Sequence, residues 1–589
     1  MRSKFNQIAN NKKKSSFETN NSTSGAIESK KLTLAFSAFQ KGQRQEARHI
    51  LKDLLTTNPK NFDALHLSAI ISGQLNDLQK AIEYFQKALN INPHNAELHC
   101  NLANALLDDR KFNLAISHCN ISIKLNALNP IAYSNRAISL EKLGKLEEAL
   151  ASYKTALNLR PTSYNYCVSI ANILRELKKL EEALKFYDKA ITLKPGSPDA
   201  YNNRGIIYHE LNRFEQALDN FNEAITIKPD YAIVYSSLGN TLGALWRYEE
   251  AIHNYKKAIS IDPEFVDAHA NLSTGLLLLG NYEEGWLEYE WRSKSEVLNK
   301  IVGIRSFDQP LWLGKEPLKD KTILLYAEQG LGDTIQFCRY VPLVSALGAK
   351  VILEVQLPLV NLLKGLGGFH QIIGRGDKLP EFDYQCPLLS LPLAFKTTID
   401  SIPNQVPYIH SSIDNQNKWQ EHIGDGGFKI AICWQGSIQN KIDVGRSFPV
   451  SLFEGISKIS GVRLISLQKN EGVEQMKSLP TGMRIETLPE DFDNGEHAFL
   501  DSAAIMKCVD LVITSDTALT HLAGALGVKT WLPLKHVPDW RWGLDRSNSL
   551  WYSNTRLFRQ AVRDDWINVF DKMEAELKIL VSIKTTTQT

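Results

Sequence analysis

Three short segments in the second half of the chain carry residue types whose spacing permits chemistry. The first is Tyr326-Ala-Glu-Gln-Gly-Leu-Gly-Asp-Thr-Ile-Gln336, which follows a β-rich run and opens a helical one. Gly330 and Gly332 permit a tight turn and close approach of a ligand. Asp333 falls near the helix start, where an aspartate also serves simply as an N-cap. The second is Thr514-Ser-Asp-Thr-Ala-Leu-Thr-His-Leu-Ala-Gly-Ala-Leu526, again a strand running into a helix. Unpaired amides of Thr517, Ala518 and Leu519, added to the helix dipole, would make a diphosphate site. Thr517 adds a hydroxyl next to Asp516, and His521, one turn on, offers a donor to a phosphate oxygen. The bland alternative is a capped helix with a buried His521. The third is Cys433-Trp-Gln-Gly-Ser437, followed by Arg446-Ser-Phe-Pro449. Arg446 would neutralise charge on a leaving diphosphate, or would be a surface arginine.

Alternating strands and helices must position these segments. β-rich runs are expected at Thr322–Tyr326, Lys350–Val355, Gln371–Ile373, Lys429–Trp434, Arg463–Leu467, Leu511–Thr514 and Thr530–Leu532. Helical stretches lie between several of them, at Thr334–Leu347 and Leu500–Val509 for example. That alternation predicts parallel sheets with helices on both faces. Proline and glycine cluster between 400 and 427, which splits the region into two Rossmann-like lobes, 320–410 and 428–575, with a linker at 411–427 and a tail at 576–589. Ligands in such sheets bind beyond the carboxyl ends of the strands. Trp540, Arg541 and Trp542 would stack on a base or pack the space between lobes.

The first half has a different period. Pro59, Pro93, Pro161, Pro195, Pro229 and Pro263 are spaced by 34 residues or by 68, where Ala127 replaces the expected proline. Ala81, Ala115, Ala149, Ala183, Ala217 and Ala251 keep step, followed four positions later by Phe85, Cys119, Tyr153, Tyr187, Phe221 and Tyr255. Each unit reads as two helices: alanines permit close helix approach, aromatics fill the space between units, and proline ends the second helix. One unit cannot bury its apolar face alone, so units stack into a solenoid, expected over 28–299 and joined by a linker at 300–319. At the sixth position of successive units stand Asn101, Asn135, Ser169, Asn203, Ser237 and Asn271. An amide both donates and accepts, which suits the backbone of an extended peptide. The last unit departs from the pattern at Gly285-Trp-Leu-Glu-Tyr-Glu-Trp-Arg292, where Trp286 and Trp291 offer apolar faces to whatever packs next.

Composition narrows the rest. The 589 residues are 43% hydrophobic and 22% charged, with a net charge of +2, so no global charge draws the chain to nucleic acid or anionic membrane. Residues 1–27 form a basic, polar tail expected to be disordered. No stretch has the length of apolar sequence that a membrane span needs. Seven scattered cysteines, none in a Cys-x-x-Cys pair, read as reduced thiols in a cytoplasmic protein. No metal-ligand spacing is visible.

The 34-residue units resemble the tetratricopeptide-repeat family, with seven clear repeats and a degenerate eighth; in that family the first helix of each unit lines the groove, which would turn Asn101, Asn135, Asn203 and Asn271 inward. The second half resembles glycosyltransferase family 9, the heptosyltransferase-like group, and more closely the bacterial proteins that join tetratricopeptide repeats to such a domain. The motifs that carry the likeness are Glu328-Gln-Gly-Leu-Gly-Asp333, Cys386-Pro-Leu-Leu-Ser-Leu-Pro392, Ser466-Leu-Gln468, Asp510-Leu-Val-Ile-Thr-Ser-Asp-Thr517 with His521-Leu-Ala-Gly524, Pro538-Asp-Trp-Arg-Trp542 and Arg556-Leu-Phe-Arg-Gln560. The resemblance implies a tetratricopeptide-repeat solenoid followed by an α/β domain of GT-B type, its first lobe on the acceptor side and its second on the nucleotide-sugar side. It implies inverting, metal-independent transfer from a nucleotide-sugar co-substrate, with no other cofactor. Asp333 would be the general base; Asp516, Thr517, Ala518, Leu519 and His521 would hold the donor diphosphate; Arg446 would stand where the family has a lysine. Ala518 replaces the family's glycine. The repeats would bind a protein or peptide, as partner or acceptor. The alternatives are an acceptor that is a glycolipid or polysaccharide, and a scaffold whose transferase domain is silent.

Overall fold

The computed structural model describes residues 23–295, 305–437, 445–495 and 498–588. By internal contacts the chain divides into two compact units, Met1–Asp230 and Tyr231–Thr589.

The first unit is helical throughout its described length. First helices begin at Phe62, Ala96, Pro130, Tyr164 and Pro198, and second helices at Arg44, Leu78, Phe112, Leu146, Leu180 and Phe214. Every step is 34 residues, and the register continues in the second unit with helices from Ala232, Tyr248, Val266 and Tyr282. The local chemistry explains why. Asn61, Asn95, Asn129 and Ser163 each sit in extended backbone just before a first helix, and each side chain accepts an N–H from its first turn. Second helices end at Ile91, Leu159, Leu193 and Ile227 with a C-cap residue held near ψ 80–90°, the extended conformation that a following proline imposes. Where Ala127 stands instead of proline the helix still ends in register, at Leu125. Between the helices of each pair one residue takes the left-handed conformation: Gly42, Asn76, Arg110, Gly144, Lys178 and Asn212, again 34 apart. Gly205 belongs to a first helix, and a Cβ there would meet Phe221 at 2.6 Å; the bare backbone makes room for the aromatic that the repeat carries.

The second unit begins with two more helix pairs and continues into two parallel sheets. In the first, the strand order is β3-β2-β1-β4, with β1 Thr322–Tyr326, β2 Lys350–Val355, β3 Gln371–Gly374 and β4 Tyr384–Pro387. In the second it is β6-β5-β7-β8-β9, with β5 Phe428–Cys433, β6 Val462–Ser466, β7 Leu511–Thr514, β8 Thr530–Leu534 and β9 Thr555–Arg559. All pairings between these strands are parallel. β5 and β7 are buried along their whole length, as strands covered on both faces must be. Strand order reverses between β1 and β4 and between β5 and β7. These are the switch points where open α/β sheets bind ligands.

Several expected boundaries look different in the structure. β4 and β9 lie in motifs quoted for their chemistry but not read as strands. The expected helix Thr334–Leu347 is broken: one helix spans Leu331–Phe337, a 3-10 turn follows, and a second helix, Val341–Ala346, restarts at Pro342. The segment expected as linker 411–427 contains the helix Ile413–Ile423, whose buried Trp419 donates to Asp501 at 2.7 Å. The expected tail 576–589 is largely helix: Trp566–Gln588 runs through it, with Leu577 fully buried. Of the expected disordered segment 1–27, residues 1–22 lie outside the described residues and 23–27 begin the helix Thr23–Gln40. Of linker 300–319, residues 300–304 lie outside them, and Trp312 is buried, its backbone N–H donating to Gln385 O of β4 at 2.9 Å.

Trp286 does what its position foretold. It is buried, donates to Thr397 O at 3.0 Å and meets Trp540 edge-on at 5.3 Å. Trp291 does not. It stacks flat on His269 of the helix Val266–Leu278, with ring centroids 3.7 Å apart, so its apolar face is used within the repeats. All seven cysteines are free thiols.

Candidate functional site

The carboxyl ends of β1 and β7 bring the first two motifs into contact. The helix Leu331–Phe337 packs against the helix Ala518–Ala525 so closely that a Cβ on Gly332 would lie 2.8 Å from His521 Cδ2 and 3.3 Å from Ala518 Cα. Gly330 precedes the first of these helices in extended backbone and donates its N–H to Asp333 Oδ2 at 2.9 Å. The capping use of Asp333 is therefore real, but it occupies one oxygen. The other accepts from Arg541 Nη2 at 2.5 Å. Burial pushes the Asp333 carboxyl above its ordinary value, with Arg541 opposing.

Arg541 is the residue that sequence reasoning placed least well. With Trp540 and Trp542 it reads as stacking on a base or packing the space between lobes. It is in fact buried, bonding Asp333, Asp539 at 2.9 Å and Gln336 Oε1 at 2.7 Å. Burial works against the guanidinium, but Asp539 and Asp333 outweigh it and raise its pKa. Gln336 is itself fully buried, and its Nε2 has no partner.

The second motif surrounds the same point. Asp516 Oδ2 accepts from Trp542 Nε1 at 3.0 Å. Burial, aided by the charge of Asp539, raises its pKa to about 6, against the pull of Trp542, Arg541 and Arg446. Thr517 is the extended N-cap of the helix Ala518–Ala525 and makes no side-chain cap; its hydroxyl lies 3.4 Å from that of Thr514. Ala518 and Leu519 are half-buried in the first turn. His521 is buried, its Nδ1 is 3.0 Å from Tyr552 Oη, and its ring stacks on Trp542 at 5.6 Å. Burial, reinforced by Arg541 and Arg339, drives its pKa well down, so the imidazole is neutral.

The third motif arrives from the switch point beside β5. Gly436 lies under the Arg446 side chain, 2.7 Å from Nη2 to where a Cβ would be, and Arg446 is close enough to Asp516 to act on its charge. Lys535, just past β8, joins them: burial lowers its pKa, while Asp516 and Asp539 oppose. Sequence reasoning missed Lys535. Its place immediately after a strand end was the available signal. Among the described residues no three His, Cys, Asp or Glu side chains group as a metal site would require.

A buried ion cluster anchors the glycine turn from behind. Arg292, just beyond the last repeat helix, donates to Glu328 Oε1 through Nη2 at 2.7 Å and Nε at 3.0 Å. It also bonds Glu290 and Ser390, each at 2.7 Å. Glu328 stands at the carboxyl end of β1, five residues before Asp333.

The asparagines expected to turn into the groove are all buried or half-buried. Asn101 and Asn135 are buried at 3% and 0% exposure. The first packs its Nδ2 3.2 Å from His66 Nε2, the second 3.9 Å from Cys100 Sγ. Asn203 is half-buried and accepts from Asn202 at 3.2 Å, and Asn271, in the other unit, donates to Ser236 at 3.4 Å. Close helix packing draws Asn101, Asn135 and Asn271 into contacts between neighbouring repeats. Among the described residues no helix is long and apolar enough to cross a membrane.

Comparison with known proteins bears on the helical half. Family models described as TPR repeat and tetratricopeptide repeat match residues 74–109, 171–212 and 247–273, and 130–163 and 198–231. Protein FlbA of Caulobacter vibrioides is 24% identical over 300 residues, 46% of this chain and 48% of FlbA. Human RNA polymerase II-associated protein 3 is 36% identical over 85 residues, 14% of this chain and 13% of that protein. The chain thus spans about half or less of the curated relatives it matches. The solved structure of YrrB, described as a TPR protein with an unusual peptide-binding site, aligns with a TM-score of 0.29 at 22% identity, over 32% of this chain and 97% of YrrB. The 34-residue helix pairs of this chain are tetratricopeptide repeats.

Proposed function

We propose that the second unit is an inverting glycosyltransferase of the family 9, GT-B type that takes a nucleotide-sugar donor, and that the repeats hold a protein or peptide as partner or acceptor. One observation carries the reading: the glycine turn with Asp333 and the Asp516–His521 segment, 183 residues apart from Asp333 to Asp516, meet at the ends of β1 and β7 with Arg446, Lys535 and Arg541 around them.

In this reading the acceptor hydroxyl gives its proton to Asp333 as its oxygen bonds the anomeric carbon. The bond from that carbon to the diphosphate breaks, and the nucleoside diphosphate leaves with the electron pair. A carboxyl raised by burial is the better proton acceptor near neutral pH. The start of the helix at Ala518, Arg446 and Lys535 supply fixed positive charge where the diphosphate gains negative charge. Gln336 Nε2 is a buried donor awaiting an acceptor. His521, neutral and packed between Trp542 and Tyr552, shapes the site more than it donates. Arg541 must release or shift from Asp333 for the base to act. The repeats bind protein in this reading because stacked helix pairs expose a continuous surface.

The test is turnover of radiolabelled nucleotide sugars by wild type and Asp333→Asn. The reading expects a loss of about 10² to 10⁴-fold in turnover, with donor affinity little changed; equal turnover removes Asp333 from the chemistry. A second reading, a scaffold with a silent domain, draws on the fact that both Asp333 oxygens are already occupied. It stands if no nucleotide sugar is consumed. Label recovered in lipid or polysaccharide and not in protein would assign the acceptor elsewhere.

A further inference from the structure

Within the first unit, three consecutive first helices, Ala96–Asp108, Pro130–Lys142 and Tyr164–Glu176, line much of a partly open cavity of about 460 Å³. Its walls are neutral. Asn101, Asn104, Asn135 and Ser169 supply amides and a hydroxyl, while Ile138 and Val168 supply apolar surface. Charge appears only on exposed residues of the lining, as Arg160 and Asp199, of opposite sign. The three tyrosine hydroxyls of the lining are engaged: Tyr153 with Ser169, Tyr164 with Ser197 at 2.5 Å and Tyr166 with Pro130 O at 3.4 Å. Asn135 is the exception. It is 0% exposed, its Nδ2 faces Cys100 Sγ, and its Oδ1 has no hydrogen-bond partner.

An unpaired buried carbonyl oxygen costs free energy until a donor reaches it. The occupant must therefore bring an N–H or O–H. It must be uncharged, since no counter-charge lies inside to offset desolvation. It must also have an apolar body to cover the aliphatic wall. Among protein side chains, tyrosine and tryptophan combine a large apolar ring with one donor, and the cavity is within the size range of sites that enclose a ligand group. We infer that this cavity is the anchor pocket of the repeats, taking a tyrosine or tryptophan side chain of a partner polypeptide, with its O–H or N–H on Asn135 Oδ1. This deepens, and rests on, the reading that the repeats bind polypeptide. It differs from the row of backbone-reading amides expected from sequence: two of those asparagines instead line one pocket for one side chain.

The experiment uses the full chain and an array of capped heptapeptides with varied flanks and Tyr, Trp or Phe fixed at the centre, with free N-acetylglucosamine as the carbohydrate control. Wild type should bind Tyr-centred peptides about fivefold more tightly than the Phe counterparts, the effect of one hydrogen bond. In Asn135→Leu that preference should vanish while Phe peptides still bind. Ile138→Trp, which fills the cavity, should remove binding of all three, and keeps the test decisive should Asn135→Leu fail to fold. Peptides that bind without a preference for the donor, or a preference that survives Asn135→Leu, overturn the pocket assignment and leave peptide binding standing. No peptide bound, or the sugar bound in their place, overturns both.

Discussion

Replacing Arg292 by methionine removes a cation that is 4% exposed and makes two hydrogen bonds to Glu328 and one each to Glu290, Ser390 and Tyr289 O. Methionine fills much of the same volume, so the cavity term is small and the electrostatic term dominates. Glu328 would be left at 6% exposure without its counter-charge. Breaking a buried pair in this way costs about 3–5 kcal/mol. Lys458→Met breaks a pair of similar length, 2.6 Å to Glu454, but both side chains are exposed, so it should cost about 0.3–0.5 kcal/mol. Urea unfolding followed by tryptophan fluorescence reports on this region, because Trp286, Trp540 and Trp551 cluster beside it. Burial already raises the pKa of Glu328, with Arg292 opposing. Without the arginine the carboxyl rises further, so the variant's stability is fully present below its unfolded value near 4.5 and is lost as pH rises through the higher folded value. Adding Glu328→Gln should recover part of the loss at neutral pH. A single-variant cost no larger than that of Lys458→Met, or no recovery in the double variant, would refute the reasoning.

Four further outcomes follow from the same geometry. Asp516, raised from 3.8 to about 6, contributes stability that is fully present below 3.8 and lost as pH rises through about 6; Asp516→Asn should therefore be more stable than wild type at pH 8, by up to about 3 kcal/mol, with the two converging below pH 4 in calorimetry. Gly332→Ala puts a methyl 2.8 Å from His521 Cδ2 and should cost about 1–3 kcal/mol in urea unfolding. Asn95→Ala removes the cap oxygen to which Leu98 N–H donates at 2.9 Å and should cost about 1 kcal/mol, read from unfolding of the first unit. Trp246 holds the left-handed position of its repeat at φ 64° and meets His536 at 4.9 Å; Trp246→Gly should relax the backbone yet destabilise, as lost aromatic packing outweighs strain, and a stabilised variant would contradict this.

The repeats were legible because each signal is local. A proline fixes its own φ and the conformation of its neighbour, an asparagine caps the next three residues, and both recur at 34. Strands β1, β2, β3, β5, β6, β7 and β8 were legible because buried parallel strands are continuous apolar runs. β4 and β9 were not: Tyr384–Pro387 ends in a proline and Thr555–Arg559 carries two arginines, so neither looks apolar, and pairing with β1 and β8 forms them. The groups of the candidate site were legible one at a time. That Arg541 turns onto Asp333 depends on how two sheets meet, and that Lys535 faces Asp516 depends on β7 and β8 pairing as neighbours, which no local pattern encodes. The asparagines were legible as a period, which says which residues align, not how far packing buries them.

The central claim, a diphosphate donor site at the ends of β5 and β7, is tested most directly by thermal unfolding of wild type, Arg446→Met and Lys535→Met with a panel of nucleoside diphosphates. A ligand at about 100 times its dissociation constant adds about 2.7 kcal/mol. The account predicts that shift for one nucleoside diphosphate with wild type, and a clearly smaller one with each variant at the same concentration. A panel with no shift, or a shift unchanged in both variants, would contradict it.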